Sequence, residues 1–285
     1  MAQQVTRPII NVINLGRMGF LQAYDVQLRY AKQHLDKLAG RTGVNGHDTL
    51  LLVEHNPVYT VGLRTEDYGE VEELRLKKLG AEFFKTNRGG LITFHGPGQL
   101  VAYPILNLRH FQKSLKSYVA TLEQTLINTC RRFGIQARTT EHTGVWVKDK
   151  KIAAIGVHCS RYITTHGISL NCDTDLMWFR HIVPCGIPGK DVTSLTRELG
   201  KPTSIRDTIS PFLQAFEEEF GCELNLTMFD EEDSSLLKTE NRSKSPPSGR
   251  GGLAEPTGLP NTQYSVRQVS TSATDRAPGN RIPMW

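Results

Sequence analysis

The sequence predicts an α+β domain over residues 1–228, with strands and helices intermixed, followed by a tail over 229–285 that cannot build a core. Three observations predict it. Thr49–His55 reads as a buried strand around the unbroken apolar run Leu50 to Val53, stopped by Asn56-Pro57, where the residue before proline avoids helix and proline cannot donate to a ladder. Between Gln112 and Phe133, the residues Leu115, Tyr118, Val119, Leu122, Leu126, Cys130 and Phe133 recur at helical spacing, and Gly134 closes the segment. After Met228 the composition changes to Pro, Ser, Thr and Gly, and such a segment buries too little apolar surface to offset its chain entropy.

The other elements follow in order. Ile9–Leu15 reads as a strand, and 19–38 as a helix with Leu21, Val26, Leu28, Ala31 and Leu35 inward. Residues 58–62 form a short strand, 70–79 a charged helix ended by Gly80, and 81–86 another strand. Val145-Trp146-Val147, a turn at Lys148-Asp149-Lys150, and Ile152–Val157 make a hairpin, and 161–170 adds a strand. Residues 204–220 are helical, with Ser204 as N-cap and Ile205, Ile209, Phe212, Leu213 and Phe216 inward. Pro211 implies either a kink or a helix that begins only at Ser210.

Composition excludes several classes. The 285 residues carry a net charge of +5 and are 38% hydrophobic, with no apolar run near the ~18 residues of a spanning helix, so membrane insertion is not expected. The basic residues are dispersed rather than blocked, which gives no footprint for nucleic acid and suits an acidic protein partner. The cysteines Cys130, Cys159, Cys172, Cys185 and Cys222 are odd in number and widely spaced, with no Cys-x-x-Cys pair, so free thiols in a reducing compartment are expected and no metal site is. The first 24 residues lack Asp and Glu and carry Arg7 and Arg17, a weak transit-peptide signal.

Three places can carry chemistry. Residues Arg88-Gly89-Gly90-Leu91-Ile92-Thr93-Phe94-His95-Gly96-Pro97-Gly98-Gln99 set an Arg, a His and a Gln among glycines, which let a backbone approach a ligand closely. The stretch lacks both the P-loop and the Rossmann spacing, and alone it also fits two tight turns of a meander. Cys185 lies in a proline-flanked turn rather than on an apolar helix face, where a thiol is accessible. Lys151 opens an apolar strand and is a solvated charge unless the fold brings it to Cys185, where a cation would favour the thiolate.

The glycine-rich run, Lys151-Ile152-Ala153-Ala154-Ile155-Gly156, Gly144-Val145-Trp146, His166-Gly167-Ile168-Ser169-Leu170-Asn171 and Pro184-Cys185-Gly186 together resemble the signature blocks of the octanoyltransferases of lipoate synthesis. The resemblance spans about residues 8–222, and the stretch 175–183 is similar to the animal mitochondrial form, which implies a mitochondrial location. It implies a mixed β-sheet with surrounding helices, like the catalytic domain of lipoate and biotin protein ligases, with 1–228 as that domain. It further implies transfer of an octanoyl group from octanoyl-acyl carrier protein to a lysine of lipoyl domains, those of 2-oxoacid dehydrogenase complexes and of the glycine cleavage H protein, with no cofactor. Cys185 then matches the nucleophile, and Lys151 the lysine that activates it. Arg88, Gly89, Gly90, Leu91, Ile92, Thr93, Phe94 and His95, with Ala154, Ile155, Gly156, Gly167, Ile168 and Ser169, match the acyl-binding segments. Lys151 or His95 would take the proton from the incoming lysine, and N–H groups of the glycine-rich turns would form an oxyanion hole. Two other readings share the fold or the site: an ATP-dependent lipoate or biotin ligase, and a non-catalytic module that binds acyl groups or carrier protein.

Overall fold

The structure, a computed structural model, describes residues 7–64, 68–183 and 191–227. Cys185 and the tail expected over 229–285 lie outside the described residues.

Strand β1 (Ile9–Met18) leads into helix α1 (Phe20–Leu38) and strand β2 (Thr49–His55), which pairs with β1 in parallel. Strand β3 (Val58–Val61), helix α2 (Glu70–Lys77), strand β4 (Glu82–Lys85) and strand β5 (Thr93–His95) build a separate three-stranded sheet in the order β4-β3-β5. The chain returns to the main sheet with β6 (Gln99–Ile105), crosses it with α3 (Leu115–Arg132), and adds β7 (Val145–Val147), β8 (Lys150–Ser160) and β9 (Ile163–Asn171). A 3-10 helix (Leu176–His181), β10 (Asp191–Val192), α4 (Leu195–Leu199), α5 (Ile205–Phe220) and β11 (Glu223–Thr227) complete the described chain. The main sheet runs β10-β8-β9-β6-β2-β1-β11, with β7 paired to β8, and it mixes parallel and antiparallel neighbours.

Strand β2 is apolar from Leu50 to Val53 because the sheet is covered on both faces there. Leu50 and Leu52 point to α3 and α5, among Tyr118, Leu122, Phe212 and Phe216, whereas Leu51 and Val53 point to α1, among Ala23 and Val26. The expected strand at 49–55, the hairpin and the N-cap at Ser204 match the structure.

Helix α1 departs from expectation. Val26 and Ala31 are buried, but Leu21 and Leu28 are 51% and 43% exposed, and Gln27 and His34 take inward places. The side-chain oxygen of Gln27 accepts the backbone N–H of His166 at 2.8 Å, where β9 has left its pairing with β6, so a polar need sets the helix rotation. Pro211 lies inside α5, which begins at Ile205 and not at Ser210. Proline removes one helical hydrogen bond. The Ser204–Asp207 capping box and the burial of Phe212, Ala215, Phe216 and Phe220 against the sheet and α3 offset that loss.

Candidate active site

Between the glycine-rich stretch, β8 and β9 lies a cavity of about 640 Å³. Its wall includes Arg88, Gly89, Gly90, Leu91, Ile92, Thr93 and His95, then Lys151, Ala154, Ile155 and Gly156 from β8, and Gly167, Ile168 and Ser169 from β9. These residues are distant in sequence, and strand pairing unites them: Ala154, Ile155 and Gly156 face Ser169, Ile168 and Gly167 directly. Phe94 stands apart. Side chains alternate along a strand, so Thr93 and His95 face the cavity while Phe94 packs behind it, stacked on Trp178 at 5.0 Å.

Two contacts hold the glycine-rich stretch over the sheet. The N–H of Gly89 donates to the carbonyl of Val157 at 3.0 Å, and the Arg88 guanidinium donates to the carbonyl and hydroxyl of Thr60 at 2.6 and 2.9 Å. Gly156 makes room for this: a Cβ there would sit 2.9 Å from Arg88 Cδ and 3.1 Å from the Gly89 carbonyl oxygen. Because the N–H groups of Gly89 and Gly98 are bonded to Val157 and Glu54, neither is available for an oxyanion hole.

Several wall residues were not legible in the sequence. Leu115 and Val119 lie one helical turn apart on α3, and Leu115 is 46% exposed rather than core because it borders the cavity. His166, expected in a strand and in a block that carries the resemblance but not as a wall residue, enters the wall with φ +57, its ring stacked on Tyr24 and its Nε2 2.8 Å from Asn87 Oδ1. Such a backbone conformation is rare outside glycine; the Gln27 bond to its N–H holds it.

Lys151 is buried at 6% exposure. Its ammonium donates to the carbonyl of Thr143 at 3.0 Å and lies 4.8 Å from the centre of the Trp146 ring. The imidazoles of His55, His95 and His166 are kept neutral. Burial, then the neighbouring His55, pushes His95 down to about 3, and burial pushes His55 to about 4 and His166, next to Arg88, to about 3. His95 is therefore a poor proton store, which weakens it as the base expected from sequence.

A buried chain of hydrogen bonds runs from His95 through the sheet. His95 Nδ1 lies 2.7 Å from Gln99 Oε1, Gln99 Nε2 donates to Asn171 Oδ1 at 2.9 Å, and Asn171 Nδ2 donates to the carbonyl of Thr193 at 2.9 Å. The N–H of Thr193 in turn donates to the carbonyl of Lys151 at 2.9 Å. A void of about 10 Å³, room for at most one water, lies against Lys151, Gln99 and Asn171.

Burial also sorts the cysteines. It pushes the thiols of Cys130, Cys172 and Cys222 up to about 12 and raises that of Cys159. None of these four favours a thiolate at neutral pH.

A family model described as "Lipoyl protein ligase A/B catalytic domain" matches residues 24–217. The chain is 54% identical over 220 residues to the zebrafish (Danio rerio) mitochondrial octanoyl-acyl-carrier-protein:protein N-octanoyltransferase LIPT2, covering 77% of this chain and 96% of that protein. The chain belongs to the octanoyltransferases of the lipoyl protein ligase A/B family. The human octanoyltransferase of the same name is 44% identical over 223 residues, covering 76% of this chain and 96% of that protein. The family assignment makes the chain an acyltransferase of the mitochondrial type. In fold, it is similar to a bipartite lipoate protein ligase from Thermoplasma acidophilum (TM-score 0.59, 18% identity, 84% and 93% of the two chains). It is also similar to lipoate-protein ligase A bound with ATP (TM-score 0.58, 15% identity, 84% and 96%). At such identities these ligase neighbours speak for the fold alone.

Proposed function

We propose that this chain transfers an octanoyl group from octanoyl-acyl carrier protein to a lysine of lipoyl domains, through a thioester on Cys185. The acceptors are the lipoyl domains of 2-oxoacid dehydrogenase complexes and the glycine cleavage H protein. The observation that supports this most is the position of Lys151. It is buried in the cavity wall, and it pairs with Val192 of β10, the strand in which the described chain resumes after the stretch that contains Cys185.

The reaction divides in two. The Cys185 thiolate, favoured by the ammonium of Lys151, attacks the thioester carbonyl of the carrier; the new C–S bond forms, the old one breaks, and the carrier thiolate takes a proton. The neutral lysine amine then attacks the acyl-enzyme; a C–N bond forms, the C–S bond breaks, and the proton lost by nitrogen ends on the Cys185 sulfur. The donor arrives already activated as a thioester, so the sequence of steps consumes no nucleotide. The cavity takes the eight-carbon chain, whose burial at ~0.8 kcal/mol per CH₂ supplies roughly 5 kcal/mol. Arg88, Gly89, Gly90, Ala154, Gly156 and Ser169 shape its wall, with Phe94 as support from behind.

Intact-mass analysis after mixing with octanoyl carrier protein tests this. The chain gains about 126 Da as octanoyl replaces the thiol hydrogen, and Cys185→Ser gains nothing. A gain that persists in Cys185→Ser, or none in the native chain, overturns the reading; pyrophosphate release from ATP in place of acylation points to a ligase.

A further inference from the structure

The amide orientations in the buried chain are set by backbone carbonyls, which can only accept. Gln99 Nε2 donates to the carbonyl of Phe94 at 3.2 Å as well as to Asn171 Oδ1, so Gln99 turns its oxygen to His95. Asn171 Nδ2 donates to the carbonyl of Thr193, so Asn171 turns its oxygen to Gln99. Gln99 Oε1 therefore requires a donor, and His95 must carry its proton on Nδ1. The other nitrogen, Nε2, is left with its lone pair on a ring that lines the cavity. Gln99 and Asn171 are 1% and 5% exposed and do not line the large cavity, so they reach a reactant bound there through His95.

We propose that Gln99 and Asn171 are positioning residues for the amide-forming half-reaction: they hold His95 as its Nδ1–H tautomer, so that the Nε2 lone pair accepts one N–H of the incoming lysine amine and aims the amine's own lone pair at the acyl carbon. In this step the C–N bond forms, the C–S bond breaks, and the departing proton passes from nitrogen to the Cys185 sulfur; His95 gains no proton overall. The low basicity of His95 suits that role, because a weak base holds a hydrogen bond without trapping the proton. The first half-reaction brings no amine and makes no use of this acceptor.

The proposal rests on the acyl-enzyme reading, and the two are separable. Long-range proton–nitrogen NMR on the full chain, with the His95 signals identified by their loss in His95→Phe, reads the tautomer directly. The expected result is a proton on Nδ1 in the native chain and a shift to Nε2–H in Gln99→Leu. In single-turnover measurements, Gln99→Leu acylates within about twofold of the native rate. Gln99→Leu and His95→Phe then release the acyl group to a lipoyl domain roughly 100-fold more slowly, the scale of a misplaced reactant. If Gln99→Leu does not fold, the native tautomer and His95→Phe carry the test. A native Nε2–H tautomer overturns the proposal, as does equal slowing of both half-reactions or slowing of neither. A native chain that forms no acyl-enzyme at all sinks Cys185 and this role together; an acyl-enzyme whose release ignores Gln99 and His95 sinks this role alone.

Discussion

Lys151 and Trp146 face one another across the β7–β8 pair, with the ammonium 4.8 Å from the centre of the indole ring. An aromatic face attracts a cation without cancelling its charge, and the Thr143 carbonyl that also binds this ammonium is neutral.

Lys151→Met keeps the hydrocarbon stem and removes the charge. Octanoyl transfer should fall by at least about 100-fold, while the melting temperature changes little. Steady-state transfer and thermal unfolding check the two parts, and a variant that keeps more than a tenth of the activity speaks against an activating role.

Cys130, Cys172 and Cys222 are buried, with thiols far above neutral pH. An alkylating agent at pH 7–8 should leave these three unmodified in the folded chain and label them only after denaturation. Peptide mass mapping reads the pattern, and Cys159→Ser should keep full transfer activity.

Acid should destabilise the fold before the carboxylates titrate. In the unfolded chain His55, His95 and His166 titrate near 6.5, whereas in the folded chain they titrate at about 4, 3 and 3. Below pH 6.5 the unfolded chain therefore binds protons that the folded chain refuses, so the stability they contribute is full above pH 6.5 and is lost as pH falls toward 4. At ~1.4 kcal/mol per pKa unit, the loss is on the order of several kcal/mol. Urea unfolding at pH 7, 6 and 5 should show midpoints that fall steadily, and equal midpoints contradict the buried neutral state.

Ala154 sits in the cavity wall opposite Ser169. Ala154→Leu should shorten the acyl chain that fits; excluding two CH₂ groups costs ~1.6 kcal/mol, about a tenfold loss in kcat/KM for octanoyl relative to hexanoyl donors. Competition between the two donors measures it.

At Gly167 a Cβ would collide with the Ala102 carbonyl oxygen of the adjacent strand and lie 2.7 Å from Pro104 Cδ. Gly167→Ala should therefore cost at least about 1–3 kcal/mol of stability, read as a lowered denaturation midpoint.

Local pattern alone located β2, the β7–β8 hairpin, the body of α3 and the Ser204 cap, because apolar period, turn residues and capping chemistry act over a few residues. The glycine-rich stretch also stood out locally, because glycines cluster there around an Arg, a His and a Gln, whereas Lys151 by itself read as a solvated charge. Only the tertiary structure decided that Leu115 borders a cavity, that α1 buries Gln27 and His34 rather than Leu21 and Leu28, and that α5 runs through Pro211. It alone joined Gln99 to Asn171, 72 positions away, and thereby fixed which nitrogen of His95 carries the proton. The physical reason is reach. Propensity, capping and alternation depend on neighbours in sequence, whereas the rotation of a helix, the wall of a cavity and the direction of a buried amide depend on which strands pair, and pairing brings together residues that no local pattern connects.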